Sequence, residues 1–502
     1  MSRRLVAGFG LAFLLCSAVG SAEPPTPAGL LTPALVRDDP VPDEEQKPYW
    51  YKIVVPATPP PTRPLAYPLQ VDPIDAEPGN AALLWLRAGQ LARQVKQRIT
   101  EKDEVWMGHV AFGGTPLDKL PQDKVAKLLE PYQPALRVAH QAALRTACDW
   151  GEPPLTLANL NDHLPLDEIQ SLRELARLLC FEHRLALARG DRHEATRVIR
   201  TGLTMARHLG ESNLLIAHLV GIAIEAIMMG RLEEALAQPG APNLYWSLTD
   251  LPQPLVDIRK AVRYELNTFH RTFPELRKLE RNPEEPLAQG QLLAMFAETL
   301  RGFQPMEDVA DWQKSLMLTA MVGRYYPAAK KALLDRGVAA DKVEKLPTAQ
   351  VVGLYFLNDY NSFRDDVLKL QNLPPWQARP FVDAIEKRVS ARTREGGNPF
   401  LLLFPAVAKV EHASLRSLRN VAVLRTVEAI RLHATHNHGD LPAKLAEITV
   451  AAVPTDPATG KTFEAYYRKD GGVAKLEIPP LPPYQAHHAR HFEFVSPAKE
   501  KP

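Results

Sequence analysis

Between Asn80 and Pro399 apolar residues return every three or four positions, which is the spacing of one face of an α-helix. Leu84, Ala88, Leu91, Val95 and Ile99 open the pattern. Leu255, Ile258, Val262, Leu266 and Phe269 repeat it, as do Leu354, Leu357, Tyr360, Phe363, Val367 and Leu370. A chain so spaced hides its apolar side chains together only by coiling. No alternating run appears in this stretch, so a central sheet is not expected. Gly210, Gly230 and Gly337 read as helix stops, and Pro274, Pro347 and Pro374 as starts or breakers.

The clearest supersecondary unit runs from Asp167 to Gly230. Ile169, Leu172, Leu175, Leu179 and Leu187 mark one amphipathic helix, and Ala195, Val198, Ile199, Leu203, Ala206 and Leu209 a second. Gly190-Asp191 is the turn between them, and so short a loop requires antiparallel helices. Residues 213–230 follow, apolar nearly all round. His218 and Glu225 within them are costly in lipid, so a central core helix is expected rather than a membrane span.

The chain begins with Arg3 and Arg4, an apolar stretch from Leu5 to Leu15, and the small residues Gly20-Ser21-Ala22 before Glu23-Pro24-Pro25. That order is a secretory signal peptide over residues 1–22, with cleavage after Ala22. An exported protein, periplasmic or secreted, is expected; the alternative keeps the leader as an uncleaved anchor. Residues 23–78 then hold 15 of the 46 prolines, which blocks helix propagation and predicts an extended or disordered spacer. Trp50, Tyr51, Ile53, Val54 and Val55 interrupt it as an apolar patch suited to dock as an extended strap. The formal charge of +2 over 502 residues gives no electrostatic reason to expect nucleic acid. Once the leader is removed two cysteines remain, Cys148 and Cys180, which export leaves free to pair or not.

The C-terminal part changes character. Leu415, Leu418, Val421, Leu424, Val427, Ile430 and Ala434 mark a long helix ending near Asn437-His438-Gly439, and a short helix from Leu441 to Ile448 is expected next. Residues 463–468 and 473–478 around Asp470-Gly471 read as a β-hairpin, with 491–495 as a third strand. The fold class is therefore mainly α: an irregular array of packed helical hairpins over 79–398, with a long helix and a small α+β module over 399–502.

Three resemblances sit on these residues. Residues 186–195, around Gly190-Asp191, resemble the turn of a tetratricopeptide repeat. Residues 429–442 with Leu445, Ile448 and 454–463 look like the helix-to-sheet segment of type II secretion pseudopilin headgroups, which implies only a small α+β packing solution. More broadly, residues 80–84, 148–151, 238–246 and 456–461 are similar to a family of exported helical proteins of planctomycete type. That likeness implies architecture and address, and no activity, cofactor or metal.

Catalytic spacings are weak throughout. His433, His436 and His438 suggest zinc ligands, but no metallopeptidase spacing accompanies them, and a helix C-terminus favours histidine without any metal. Gly460-Lys461-Thr462 lacks the preceding glycine of a phosphate loop, since Thr455 stands there. Asp149, Asp365 and Asp366 read as capping or solvated carboxylates, and Trp150 and Trp246 as anchors of the core beside turns. No metal, cofactor or catalytic residue is assigned. The expected function is an exported scaffold or protein- or peptide-binding protein of the cell envelope. The alternative is an enzyme, such as a hydrolase, gathering its residues from separate helices, with His183, His193, His208 and His218 the first to inspect.

Overall fold

The computed structural model describes residues 50–55, 63–97, 101–111, 114–152, 166–272, 274–288, 290–295, 311–394, 398, 401, 405–482 and 489–496. The expected signal peptide lies outside these residues, as does much of the proline-rich segment. The fold is mainly helical with a small four-stranded sheet. Contacts divide it into two compact units: residues 37–151, 165–258 and 410–502 form a discontinuous one, and a second is built on residues 259–409.

The discontinuous unit opens with β1 (Trp50–Val54) and β2 (Glu77–Asn80). Four helices follow, α1 (Ala82–Lys96), α2 (Glu101–Ala111), α3 (Gln122–Leu129) and α4 (Gln133–Ala143), and then β3 (Arg145–Ala147). β2 and β3 pair in parallel, a short clip that the helical periodicity does not reveal. Of the face expected along α1, Ala88 is buried while Leu84, Leu91 and Val95 are only half buried, and the buried face runs through Trp85, Ala88, Gly89 and Ala92. The small residues win because α1 lies close against α5 (Leu166–Ala188): a β-carbon on Gly89 would stand 2.2 Å from Ser171 Oγ.

Helix α5 and α6 (Arg192–Leu209) form the expected hairpin. Gly190 turns the chain at φ +77°, and Asp191 caps α6 by accepting the Glu194 amide at 2.9 Å. All six apolar positions expected of α6 are buried. Helix α7 (Leu215–Leu236) is long and apolar enough to cross a membrane, and most of it is buried inside the protein, as a core helix requires. Gly230 does not stop it. The helix continues for six residues because Leu232 and Leu236 still find buried positions, and one glycine costs a helix only about 1 kcal/mol. A short helix, α8 (Tyr245–Thr249), closes this stretch.

The second unit contains α9 (Arg259–Leu266), α10 (Thr268–Thr272), α11 (Pro274–Arg281), α12 (Asp311–Asp335), α13 (Ala340–Lys345), α14 (Thr348–Leu370) and α15 (Pro375–Arg394). Every apolar position expected along α14 is buried, and Tyr360 at its centre donates to the Leu266 carbonyl at 2.6 Å.

Helix α16 (Pro405–His436) returns the chain to the first unit. His438 at φ +56° and Gly439 at φ +89° end it, with the Gly439 amide donating back to Ala434. The expected helix from Leu441 to Ile448 is only a single 3-10 turn, Leu445–Glu447, since so short a segment offers few internal hydrogen bonds for the dihedrals it fixes. The hairpin starts later than expected. Residues Phe463–Tyr466 form another 3-10 turn, and β4 (Tyr467–Asp470) pairs antiparallel with β5 (Val473–Ile478) about Gly471. β6 (Arg490–Val495) joins β5 antiparallel, and β1 joins β6 in parallel, giving the order β1-β6-β5-β4. The apolar patch at Trp50–Val55 is thus the fourth strand of the terminal sheet, with Tyr51 stacked on Phe492 at 5.6 Å between ring centroids.

Candidate functional site

The four histidines marked by the hairpin region are not drawn into one site. Nδ1 of His183 donates to the Ala195 carbonyl at 3.0 Å, and burial pulls its pKa down to about 4. His208 accepts the Trp85 indole N–H on Nδ1 at 3.0 Å, and burial lowers it to about 3. Nε2 of His218 donates to Ser212 O at 2.8 Å. His193 stacks on Tyr67, ring centroids 4.5 Å apart. Each ring ties its helix to a nearby segment.

The C-terminal histidines fare similarly. His433 is half buried, and its pKa is lowered by that burial. His436 hydrogen-bonds Leu432 O in its own helix, and His438 occupies the left-handed position of the cap. Among the described residues no group of three or more His, Cys, Asp or Glu is placed to hold a metal ion. Cys148 and Cys180 are not joined in a disulfide, and burial pushes the Cys180 thiol up to about 11, well away from reactivity.

The remaining marked residues are mostly junctions. Asn80 accepts the Ala82 amide at the start of α1 and exchanges hydrogen bonds with Asp149, donating to its carbonyl and accepting its amide. Trp150 donates to His208 O at 2.8 Å, an anchor as expected. Trp246 is instead 43% exposed, its ring edge against Tyr245. Asp365 and Asp366 lie on the surface, paired with Arg364 and with Lys369 and Arg388. The stretch before Gly460-Lys461-Thr462 serves packing: Asp456 is fully buried, its carboxylate taken by Arg419 Nε at 3.0 and 3.1 Å and by Nη2 at 2.9 Å.

Two arrangements escaped the sequence. His140 of α4 sits between Thr201 of α6 (Nδ1 to Oγ1, 2.8 Å) and Glu182 of α5 (Nε2 to Oε2, 2.9 Å). A hydroxyl, an imidazole and a carboxylate in that order are the parts of a nucleophilic relay. Thr201 is only 3% exposed, however, and its hydroxyl has a second taker in the Arg197 carbonyl at 3.1 Å. The three residues lie on three helices, 42 and 61 positions from His140, so no local spacing announces them.

The second is a small cleft of about 20 Å³ between α16 and the β5–β6 end of the sheet, lined by Arg416, Arg419, Asn420, Val423, Ile478, Pro480, Leu481 and Arg490. Arg416 and Arg419 are one turn apart on α16 and so share a face. Arg419 is held from behind by Asp456 and by Pro479 O at 2.6 Å. Arg490 at the start of β6 is held by the buried Glu233 at 3.1 Å, and the same carboxylate accepts the Tyr51 hydroxyl of β1. Burial first, and then the Glu233 charge, keeps that hydroxyl protonated. The lining has three guanidinium groups, an amide and four apolar side chains, and no carboxylate. No family model, curated protein or solved structure matches this chain, so what the site can do rests on its own chemistry.

Proposed function

We propose that the protein is an exported, non-catalytic helical scaffold that binds a protein or peptide partner in the cell envelope. The observation that carries this reading is the use made of buried charge. Arg184, fully buried, takes both oxygens of Glu234 and donates to the Val110 and Thr115 carbonyls, joining three segments. Arg431 bonds Glu428 and the carbonyls of Ala241 and Pro242, and Arg419 bonds Asp456. Groups that an enzyme would aim at substrate are spent on cross-linking helices to turns. The likeness of residues 80–84, 148–151, 238–246 and 456–461 to exported helical proteins, and the leader-like residues 1–22, support the address. The test is reciprocal affinity capture from an envelope fraction: one partner recovered stoichiometrically in both directions supports binding, and recovery of background proteins alone removes it.

The second reading, a hydrolase with a dispersed site, is favoured only by the Thr201–His140–Glu182 arrangement. Its test is a panel of ester and peptide substrates: turnover abolished by His140→Ala and by Thr201→Val in folded protein would replace the scaffold reading.

A further inference from the structure

We infer that one end of the layer formed by α12, α14 and α15, within the unit built on residues 259–409, is an interface between two copies of this chain. Trp312 and Leu316 on α12, Leu373 in the α14–α15 turn, and Trp376 and Phe381 on α15 are 67%, 61%, 40%, 38% and 57% exposed. The topology gathers them. Tyr325 of α12 meets Phe356 of α14 with ring centroids 5.2 Å apart, and Glu344, just before α14, pairs with Lys330 near the end of α12. The two helices are therefore antiparallel. Asp311 lies as far before Tyr325 as Leu370 lies after Phe356, so the start of α12 is level with the end of α14. Helix α15 folds back along α14: Arg388 sits over the Phe363 ring and bonds Asp366 at 3.2 Å, while Arg392, further on, reaches Asp359 at 3.9 Å. Its first turns share the same end. Among the described residues the opposite end exposes one large apolar side chain, Leu334.

Area and charge select the occupant. With about 150–250 Å² for each aromatic side chain, the five exposed fractions leave roughly 500 Å² of apolar surface in water. That matches the largest patch of an ordinary monomer and is more than half of the roughly 800 Å² each partner gives to a stable interface. Three helices packed side by side at about 8–10 Å span about 20 Å, inside the footprint of such a contact. Residues 311–316, 363–370 and 371–383 each hold equal numbers of acids and bases. Asp365 and Asp366 are engaged by Arg364, Lys369 and Arg388. An end without net charge has no pull toward anionic lipid or nucleic acid and no repulsion from its own copy, and carboxylates at 365 and 366 are costly to sink among lipid tails. A two-fold contact sets one patch against itself, which suits a surface that is apolar and neutral. This contact is independent of the envelope partner proposed above.

Sedimentation velocity of the full chain from about 1 to 100 μM should show a reversible monomer–dimer equilibrium. Trp312→Glu and Phe381→Glu should each raise the dimer dissociation constant at least about tenfold, as expected for a charge set into an apolar interface. Helical circular dichroism should stay unchanged in both, since neither side chain belongs to the core. Leu334→Glu, at the opposite end, should leave the constant where it is. A monomer at every concentration, a dimer untouched by both variants, or a dimer weakened as much by Leu334→Glu overturns the interface. Flotation of the parent chain with phosphatidylcholine vesicles, lost in the two variants, assigns this end to a lipid surface and overturns the second copy. A dimer that captures no envelope partner leaves this interface standing and removes the scaffold reading.

Discussion

Glu428 on α16 and Glu225 on α7 are both fully buried carboxyl groups, and they meet their burial with different numbers of donors. Glu428 accepts Arg431 Nη1 on one oxygen and the Leu244 amide on the other, each at 2.5 Å. Burial pushes its pKa above the ordinary carboxylate value, and those donors offset part of that rise. Among the described residues Glu225 finds only the Ser417 hydroxyl and no partner for its Oε2, and burial raises its pKa from 4.5 to about 7. A buried acid that accepts a guanidinium and a backbone amide serves as a joint; one with a single hydroxyl donor is left to titrate near neutrality.

The largest break in this contrast is Arg431→Met, which strands the Glu428 charge and should cost about 3–5 kcal/mol in urea unfolding near neutral pH. The variant should also become more stable as the pH is lowered and Glu428 protonates, behaviour absent from Glu428→Gln. Glu225 comes next. Its folded pKa lies above its unfolded one, so the stability it contributes is complete below about pH 4.5 and is lost as pH rises through about 7. The loss is about 3 kcal/mol, and Glu225→Gln should flatten that slope; identical pH profiles for variant and parent would refute the assignment.

Asn243→Ala removes the bond from Nδ2 to Glu428 O and the acceptor of Tyr245 N, and should lower the unfolding free energy by about 2 kcal/mol. Ser417→Ala is smallest, about 1 kcal/mol, but it acts on the contrast directly. Without its one donor Glu225 should titrate at still higher pH, visible as an upward shift of the pH at which stability falls.

Much of the helical architecture is legible in the sequence because it is local. The α6 and α14 faces are buried at every position their period implies, and Gly190-Asp191 turns where its chemistry says it must. The α1 face expected through Leu84, Ala88, Leu91 and Val95 is buried at Ala88 alone of these four, since the choice between it and a face of Trp85, Ala88 and Gly89 depends on how closely α5 approaches. The candidate site is less legible still. Its arginines stand at 416, 419 and 490 and their supports at 51, 233 and 456, so only the α16 pair falls within one motif's reach. The histidines that drew attention by clustering between 183 and 218 point to separate carbonyls and rings, while His140, outside that cluster, found the hydroxyl and the carboxylate.

The amino-acid sequence by itself determined that the middle of this chain coils, where several of its turns fall, and that a hairpin closes its end, because each follows from side-chain period and backbone preference over a few residues. Tertiary structure alone decided that Trp50–Val54 lies parallel to β6, that residues 410–502 share a unit with 165–258, and which buried charges meet. Parallel pairing and ion pairing are contacts between segments far apart in the chain, and no property of either segment alone specifies its partner.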